Sequence, residues 1–519
     1  MPDAGAIGTH PQGRLSQALT ALGRRWFVVH IALVGAMFVL WALASPPSSV
    51  PDEPHHIVKA ASIWQGQLQG PTQPLDPENI DPSITAQLLR TPASYAAINE
   101  ASCYAFRSEV PATCIPDITD SGDIVGSLSA AGPYPPTFYA LVGWPTRFVR
   151  AEVGIYLMRL TSAALCLGLA ALALHSLRRR VGDILALVAV TVALTPEVGY
   201  LAGSVNPNGL EILGGLAMWA GLAAAVGHRL AHEAVPRLTT VTALAGAAGL
   251  ALTRSLGPFF AAAVAAAVIV AHGRPVLTLR RDRTLLRLLG GIGALVVAGT
   301  TWVLYSGHLS SVPGGAPQTG TSVMQQLVER IDDWAQQMVA VFGWLDTGPV
   351  LTTVWAWLAI VAGLVTVVWV TGRSWLGTCT VLLVGIVAIT PVIIQYPGAA
   401  EQGIAWQGRY GLALAMGIPV FAVLALAERS RPLAEHARLV TFVTALAAIG
   451  QVAGFATAMR RYAVGLPGPL RFWKTPGAWS PPLGNLLTLV LFTGVCFATV
   501  GVAVAVGSIS RQNGTAADP

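Results

Sequence analysis

Apolar and polar residues fall along this chain in long alternating blocks. Twelve segments read as membrane spans: 26–45, 156–177, 183–200, 209–227, 238–253, 257–272, 287–306, 349–371, 375–394, 411–427, 438–458 and 484–507. A span needs about 20 apolar residues, fewer when it is tilted or buried by neighbours. Segments 183–200, 238–253 and 257–272 fit this template least well. The pattern predicts an all-α, polytopic integral membrane protein. Four longer stretches separate the spans on one side: 46–155, 307–348, 395–410 and 459–483. In the first, residues 53–68 carry Ile57, Ala60, Ala61 and Trp64 along one side, which predicts a short helix lying on the membrane. Residues 70–83 are proline-rich and extended, and 134–150, broken by Pro145, predict an interfacial helix. In the second stretch, Ser322 and Gln325 fit a capping box ahead of Val323, Leu327, Ile331, Trp334, Met338 and Phe342 at helical spacing. That predicts an amphipathic helix over 322–342 on the outer leaflet. A helix packed in the core of a small outer domain is the alternative.

Composition agrees with the pattern. The chain is 54% hydrophobic and 11% charged, against roughly 25% charged in soluble domains. The first apolar run is too long for a signal-peptide core, and Pro46-Pro47 follows it where a cleavage site would stand, so it reads as a retained span. Lys59 and Lys474 are the only lysines among 31 basic residues. The net charge of +6 is not a nucleic-acid signal, because it divides by topology. Short Arg-rich loops mark the cytoplasmic side. That places 18 basic and 7 acidic residues inside, and 13 basic and 18 acidic residues outside. The organisation that follows is a cytoplasmic tail (1–25), a membrane body (26–458) holding outer loops 46–155 and 307–348, an outer loop with the last span (459–507) and a second cytoplasmic tail (508–519). The polar machinery then faces outward from the plasma membrane, where neither ATP nor nucleotide sugars are at hand.

Cys166, Cys379 and Cys496 lie in apolar runs and read as small hydrophobes. Cys103 and Cys114 lie in the first outer loop, where a disulfide is expected. A metal pair is less favoured there, since no nearby Cys or His completes a site. The sequence indicates no cofactor; a divalent metal on His55, His56 and the adjacent acids is the lesser alternative, because neighbouring side chains diverge on a helix.

The candidate chemistry gathers at the outer rim. Asp52 and Glu53 follow the first span directly, framed by Pro51 and Pro54, which restrict the backbone. A carboxylate there is placed to take a proton from a substrate hydroxyl; Asp52 is the expected base and Glu53 its support. His55 and His56 are expected to bind a phosphate or orient Asp52. Gln407, Arg409 and Tyr410 surround Gly408 before a late span, and Arg suits bidentate phosphate binding. Arg254 lies in a very short outer turn, where membrane depth demands a partner: a lipid phosphate, Glu197 or Glu211. Tyr134, Arg159, Asn206, Trp344 and Arg461 complete the expected substrate-binding set. Each also has a plainer reading as anchor, cap or loop residue.

Taken in order, these segments resemble a bacterial family of integral membrane proteins of unknown function. The resemblance rests on Pro51 to His56, Tyr134 to Tyr139, Thr195 to Asn208, Phe342 to Trp344 and Gln407 to Tyr410. Asn206-Pro207-Asn208 stands where that family often has an acid, and Arg254 where a Lys-Pro pair is usual. The family is similar in layout to the GT-C glycosyltransferases, which use polyprenyl-phosphate sugars. The resemblance implies an extracytoplasmic, inverting glycosyltransferase with an Asp base, a polyprenyl-phosphate sugar donor and a cell-envelope glycan or glycolipid acceptor. The Arg and Ala bias hints at an actinobacterial source, for which arabinose or mannose on a decaprenyl-type lipid would be donors. The alternatives are a transporter or flippase of lipid-linked saccharides, or a scaffold subunit. Sparse charge within the spans argues against a membrane-deep transport path.

Overall fold

The computed structural model describes residues 11–74, 85–118, 120–307, 322–370, 374–428 and 433–515. The extreme termini, most of the proline-rich stretch, the start of the 307–348 loop, and Arg373, Arg429 and Arg431 lie outside the described residues.

Helix α1 (Pro11–Ala44) stops just before Pro46-Pro47, and α2 (Glu53–Trp64) starts after a tight turn. The long first loop then builds a small antiparallel sheet from β1 (Thr72–Pro74), β2 (Thr85–Pro92) and β3 (Ile124–Ser129), with α3 (Ala93–Ala96) after β2. Gln87 pairs with Ser129, and Pro92 with Ile124. Neither long strand alternates cleanly between buried and exposed positions, so the sequence carries little period-two signal for them. Cys103 and Cys114 are disulfide-bonded, as expected. Helix α4 (Thr137–Val142) and a 3₁₀ turn at Trp144–Arg147 lead to α5 (Ala151–Val181).

α6 (Asp183–Ala193) and α7 (Pro196–Ala202) are bent from each other by 75°. Pro196 opens α7, with the Thr195 hydroxyl capping it, so the segment expected as one span is two helices meeting at a sharp bend. α8 (Pro207–Leu230) forms the buried axis of the bundle, packed by α5, α9 (Arg237–Ala251) and α10 (Gly257–Ala271). Then come α11 (Arg283–Tyr305), α12 (Val323–Glu329), α13 (Ile331–Ala340), α14 (Leu351–Val370), α15 (Trp375–Gln395) and α16 (Ala399–Gln402). The chain ends with α17 (Leu412–Ala415), α18 (Gly417–Ala427), α19 (Leu433–Val464) and α20 (Asn485–Thr515).

Among the described residues, 9 helices are long and apolar enough to cross a membrane, or 10 if the bent pair is one span. All twelve expected segments are largely helical, but α9 and α10 have only 15 residues each. Each rises about 22 Å, against about 30 Å of hydrocarbon. Arg254 lies in the turn between them, with 12% of its side chain exposed.

Three local expectations change. Helix α2 does not lie on a surface: nine of its 12 residues are buried, and it packs on β2, β3 and α4. Its polar side chains are absorbed internally, with Lys59 donating to the Gly132 and Leu68 carbonyls and Ser62 to Gln67. Burial lowers the Lys59 pKa to about 7. The 134–150 segment is two short pieces rather than one helix; Phe138 and Tyr139 face inward while Leu141 and Phe148 are exposed. The 322–342 helix is split at Arg330. Ser322 does cap its start, but Trp334 and Leu327 are buried against protein, so the alternative of a packed helix describes α13 better than a surface one.

Candidate functional site

Asp52 is the N-cap of α2, with φ 66°, ψ 0°. A non-glycine residue in the left-handed region is uncommon, and such outliers cluster at functional sites. Its side chain makes no cap hydrogen bond. Oδ2 instead accepts from Arg409 Nη2 at 2.7 Å, and 43% of the side chain stays exposed. The surrounding protein desolvates the carboxyl, which pushes its pKa up. Arg409 is the largest of the charges that oppose this, and together with the others it leaves Asp52 below the ordinary carboxylate value. Arg409 is itself buried, and its Nε and Nη1 have no hydrogen-bond partner among the described residues. A buried charged donor left unsatisfied is costly, so these atoms point to a ligand.

Arg409 is set by the turn Gly408–Gly411. Gly408 N donates to Gln337 Oε1 at 2.7 Å, and Trp334 Nε1 to the Trp406 carbonyl at 3.1 Å. Helix α13 is therefore a buttress for the arginine. An added Cβ at Gly408 would collide with the Trp334 carbonyl and the Gln337 side chain. Gly408→Ala is expected to cost about 1–3 kcal/mol by overpacking and to misplace Arg409. Thermal unfolding in detergent reads this; an unchanged midpoint would mean that the turn is not tightly seated.

Arg254 closes the other side. Its guanidinium lies 4.4 Å from the Tyr410 ring centroid and 5.6 Å from that of Tyr134. Nη1 meets Glu211 Oε2 at 3.5 Å, and Nη2 meets Tyr134 Oη at 3.5 Å. Of the two acids expected as its partner, Glu211 is the one in contact. Asn208 steadies Glu211 at 3.3 Å. His56 Nδ1 is 2.9 Å from Tyr139 Oη, and its ring packs on Tyr134 and Tyr139. Burial lowers the His56 pKa to about 3 and also lowers that of His55. Both imidazoles are neutral at pH 7, and the cationic character of the site comes from the two arginines.

Asp52, His56, Tyr134, Arg254, Arg409 and Tyr410 thus come together from four separate segments. His55 and Gln407 lie at the margin, each with one buried atom, Nδ1 and Oε1, lacking a partner among the described residues. The other expected residues form supports behind the cluster. Glu53 accepts from Arg159 Nε and Nη2 at 2.8 and 2.6 Å and from Val205 N at 2.9 Å. Arg159 spends its remaining donors on the Ala42, Ser45 and Pro46 carbonyls. Glu53 and Arg159 have no exposed side-chain surface and face each other. Asn206 caps α8 and donates to the Pro51 carbonyl at 3.1 Å. Arg461 pairs with Asp346 at 2.7 Å and donates to the Tyr104, Arg107 and Val110 carbonyls. Trp344 donates to the Ser48 carbonyl.

Two acids are more central than the sequence reading made them. Glu211 holds Arg254, and Glu197 sits within electrostatic reach of Arg409 with Oε2 unpartnered among the described residues. The available signal was their position in otherwise uncharged spans. Among the described residues, no group of three or more His, Cys, Asp or Glu is arranged to hold a metal ion.

A helical bundle of this span count, capped by a small domain built from the long first loop with a charged recess at its edge, defines a polytopic membrane protein. The chain belongs to the DUF2142 family of predicted membrane proteins, whose model matches residues 36–418. No curated protein matches it. The chain is similar to two solved structures of ArnT from Cupriavidus metallidurans, one bound to undecaprenyl phosphate and one in the apo state. Each is 13% identical, with 94% of this chain and 78% of that chain covered and TM-scores of 0.43 and 0.42.

Proposed function

We propose that this protein is an extracytoplasmic glycosyltransferase that moves a sugar from a polyprenyl-phosphate carrier to a glycan or glycolipid acceptor of the cell envelope. The observation that carries the reading is the pairing of a half-exposed Asp52 carboxylate with a buried Arg409 whose Nε and Nη1 lack partners. An anion that fills Arg409 would sit beside Asp52, and a phosphate suits a guanidinium fork. Arg254, stacked on Tyr410, offers a second cation on the same recess.

In this mechanism Asp52 takes the proton from the acceptor hydroxyl. The oxygen attacks the anomeric carbon from the face opposite the phosphate, and the bond from that carbon to the phosphate oxygen breaks. The bonding pair leaves with the phosphate, whose charge Arg409 and Arg254 meet, and the sugar is inverted. His56, Tyr134 and Tyr139 shape the wall. Glu53, Arg159, Asn206, Trp344 and Arg461 act as positioning residues. The site faces outward if the Arg-rich loops are cytoplasmic.

The test is label transfer from radiolabelled polyprenyl-phosphate sugars by purified protein in lipid, beside Arg409→Gln. Loss of one preorganised donor is expected to lower turnover by about 10²–10³-fold. Binding of the lipid-linked sugar without transfer by the wild type would favour a flippase instead.

A pH dependence follows. In the unliganded protein Arg409 holds the Asp52 pKa down, so the base stays ionised until the pH falls below the ordinary carboxylate range. A phosphate on Arg409 competes for the same guanidinium and lets that pKa rise. The acid limb of kcat/KM, which reports the unliganded protein, is expected at lower pH than the acid limb of kcat. Coincident limbs would count against the shared arginine.

A further inference from the structure

A cavity of about 850 Å³ opens at the end of the bundle opposite Asp52, and its lining includes Arg180, Val181, Gly227, Leu230, His272 and Arg274. The separation is set by the helices. On α5, Arg159 and Arg180 are 21 residues apart, or about 32 Å along the axis. On α8, Glu211 near Arg254 and Gly227 at the cavity are 16 residues apart, or about 24 Å.

The charges at the cavity are Arg180, Arg274 and Glu428, with His272 within electrostatic reach of Arg180. Arg180 and Arg274 make no hydrogen bond or ion pair among the described residues, and Glu428 has its own partner. Arg180 lies directly against the backbone of α8 at Gly227, where a Cβ would collide with its Nε. The absence of a side chain at Gly227 leaves room for the Arg180 guanidinium against α8 at the cavity. Leu230, Leu376 and Leu424 give the cavity an apolar wall. Trp375, 52% exposed and tied to the Val270 carbonyl at 2.8 Å, stands at the rim as interfacial tryptophans do.

Two unpaired guanidiniums over an apolar slot between membrane helices match a phosphate joined to an acyl chain. We propose that this cavity binds an anionic phospholipid from the leaflet opposite the Asp52 site, its phosphodiester on Arg180 and Arg274 and an acyl chain along Leu230 and Leu424. Basic pockets between spans hold such headgroups by this combination of charge and apolar contact. Neither arginine takes part in the proposed transfer, so the inference stands or falls separately from it.

The test uses the full chain in vesicles containing phosphatidylcholine or phosphatidylglycerol with brominated acyl chains. Quenching of Trp375 is read as the difference between wild type and Trp375→Phe. Phosphatidylglycerol is expected to quench Trp375 more strongly than phosphatidylcholine, and each of Arg180→Gln and Arg274→Gln to reduce that preference about five-fold. Arg274 is exposed at the rim, so its variant keeps the test meaningful if Arg180→Gln fails to fold. Equal quenching by both lipids, or a preference that survives Arg274→Gln, would overturn the proposal. Abolition of the preference by inorganic phosphate would also overturn it, since that marks a soluble-anion site.

Discussion

Asp52→Asn is expected to fold with a near-native thermal midpoint and to lose about 10²–10⁴-fold in sugar transfer, the usual share of a general base. The amide keeps the size of the side chain and can still accept from Arg409, but it cannot take up the acceptor's proton. Retained folding is expected because the side chain is 43% exposed and the amide oxygen still gives the buried Arg409 Nη2 an acceptor. Its left-handed φ of 66° is tolerated by Asn as well as by Asp. Transfer measured from labelled polyprenyl-phosphate sugar, with the midpoint recorded on the same preparation, decides the matter. A fully active Asp52→Asn would remove Asp52 from the chemistry and leave a lipid-binding or transport role as the better account of the recess.

The adjacent acid is expected to behave in the opposite way. Glu53→Gln strips the counter-charge from Arg159, a guanidinium with no exposed surface. Breaking a buried pair by removing one partner costs about 3–5 kcal/mol, and here the pair joins the end of α1, the start of α2 and the first third of α5. The expected result is a large fall in thermal midpoint and in the yield of folded protein. Arg159→Met should be at least as damaging, because the Ala42, Ser45 and Pro46 carbonyls also lose their donor. A well-folded Glu53→Gln with no transfer would reverse the assignment and make Glu53 the chemical acid. The contrast between neighbours is the informative feature: one carboxylate is buried and saturated, the other half-exposed with Oδ1 making no hydrogen bond among the described residues.

Much of this was open to sequence reading. The apolar blocks are long and nearly free of charge, and a bilayer gives such blocks one outcome, a helix with every backbone group satisfied. Hence the α-helical membrane body was legible, as was membership of the membrane family that the segments around Asp52 and Arg409 suggested. The cysteine pair was legible too, because Cys103 and Cys114 stand alone in one loop. Less legible were the three-stranded sheet, whose strands do not alternate, and the burial of α2, whose Lys59 and Ser62 look like solvent-facing residues until the 132 and 67 carbonyls receive them.

What the sequence determined by itself, then, was the membrane class and which end of the chain's helices carries the polar groups, because hydropathy is a local property summed over about 20 residues. What only the tertiary structure decided was the division of labour among those groups. Asp52 and Arg409 are 357 positions apart and 2.7 Å distant, while Glu53, one residue on, turns the other way to Arg159. Burial, pairing and pKa depend on which segments meet in space, and no local pattern encodes that meeting.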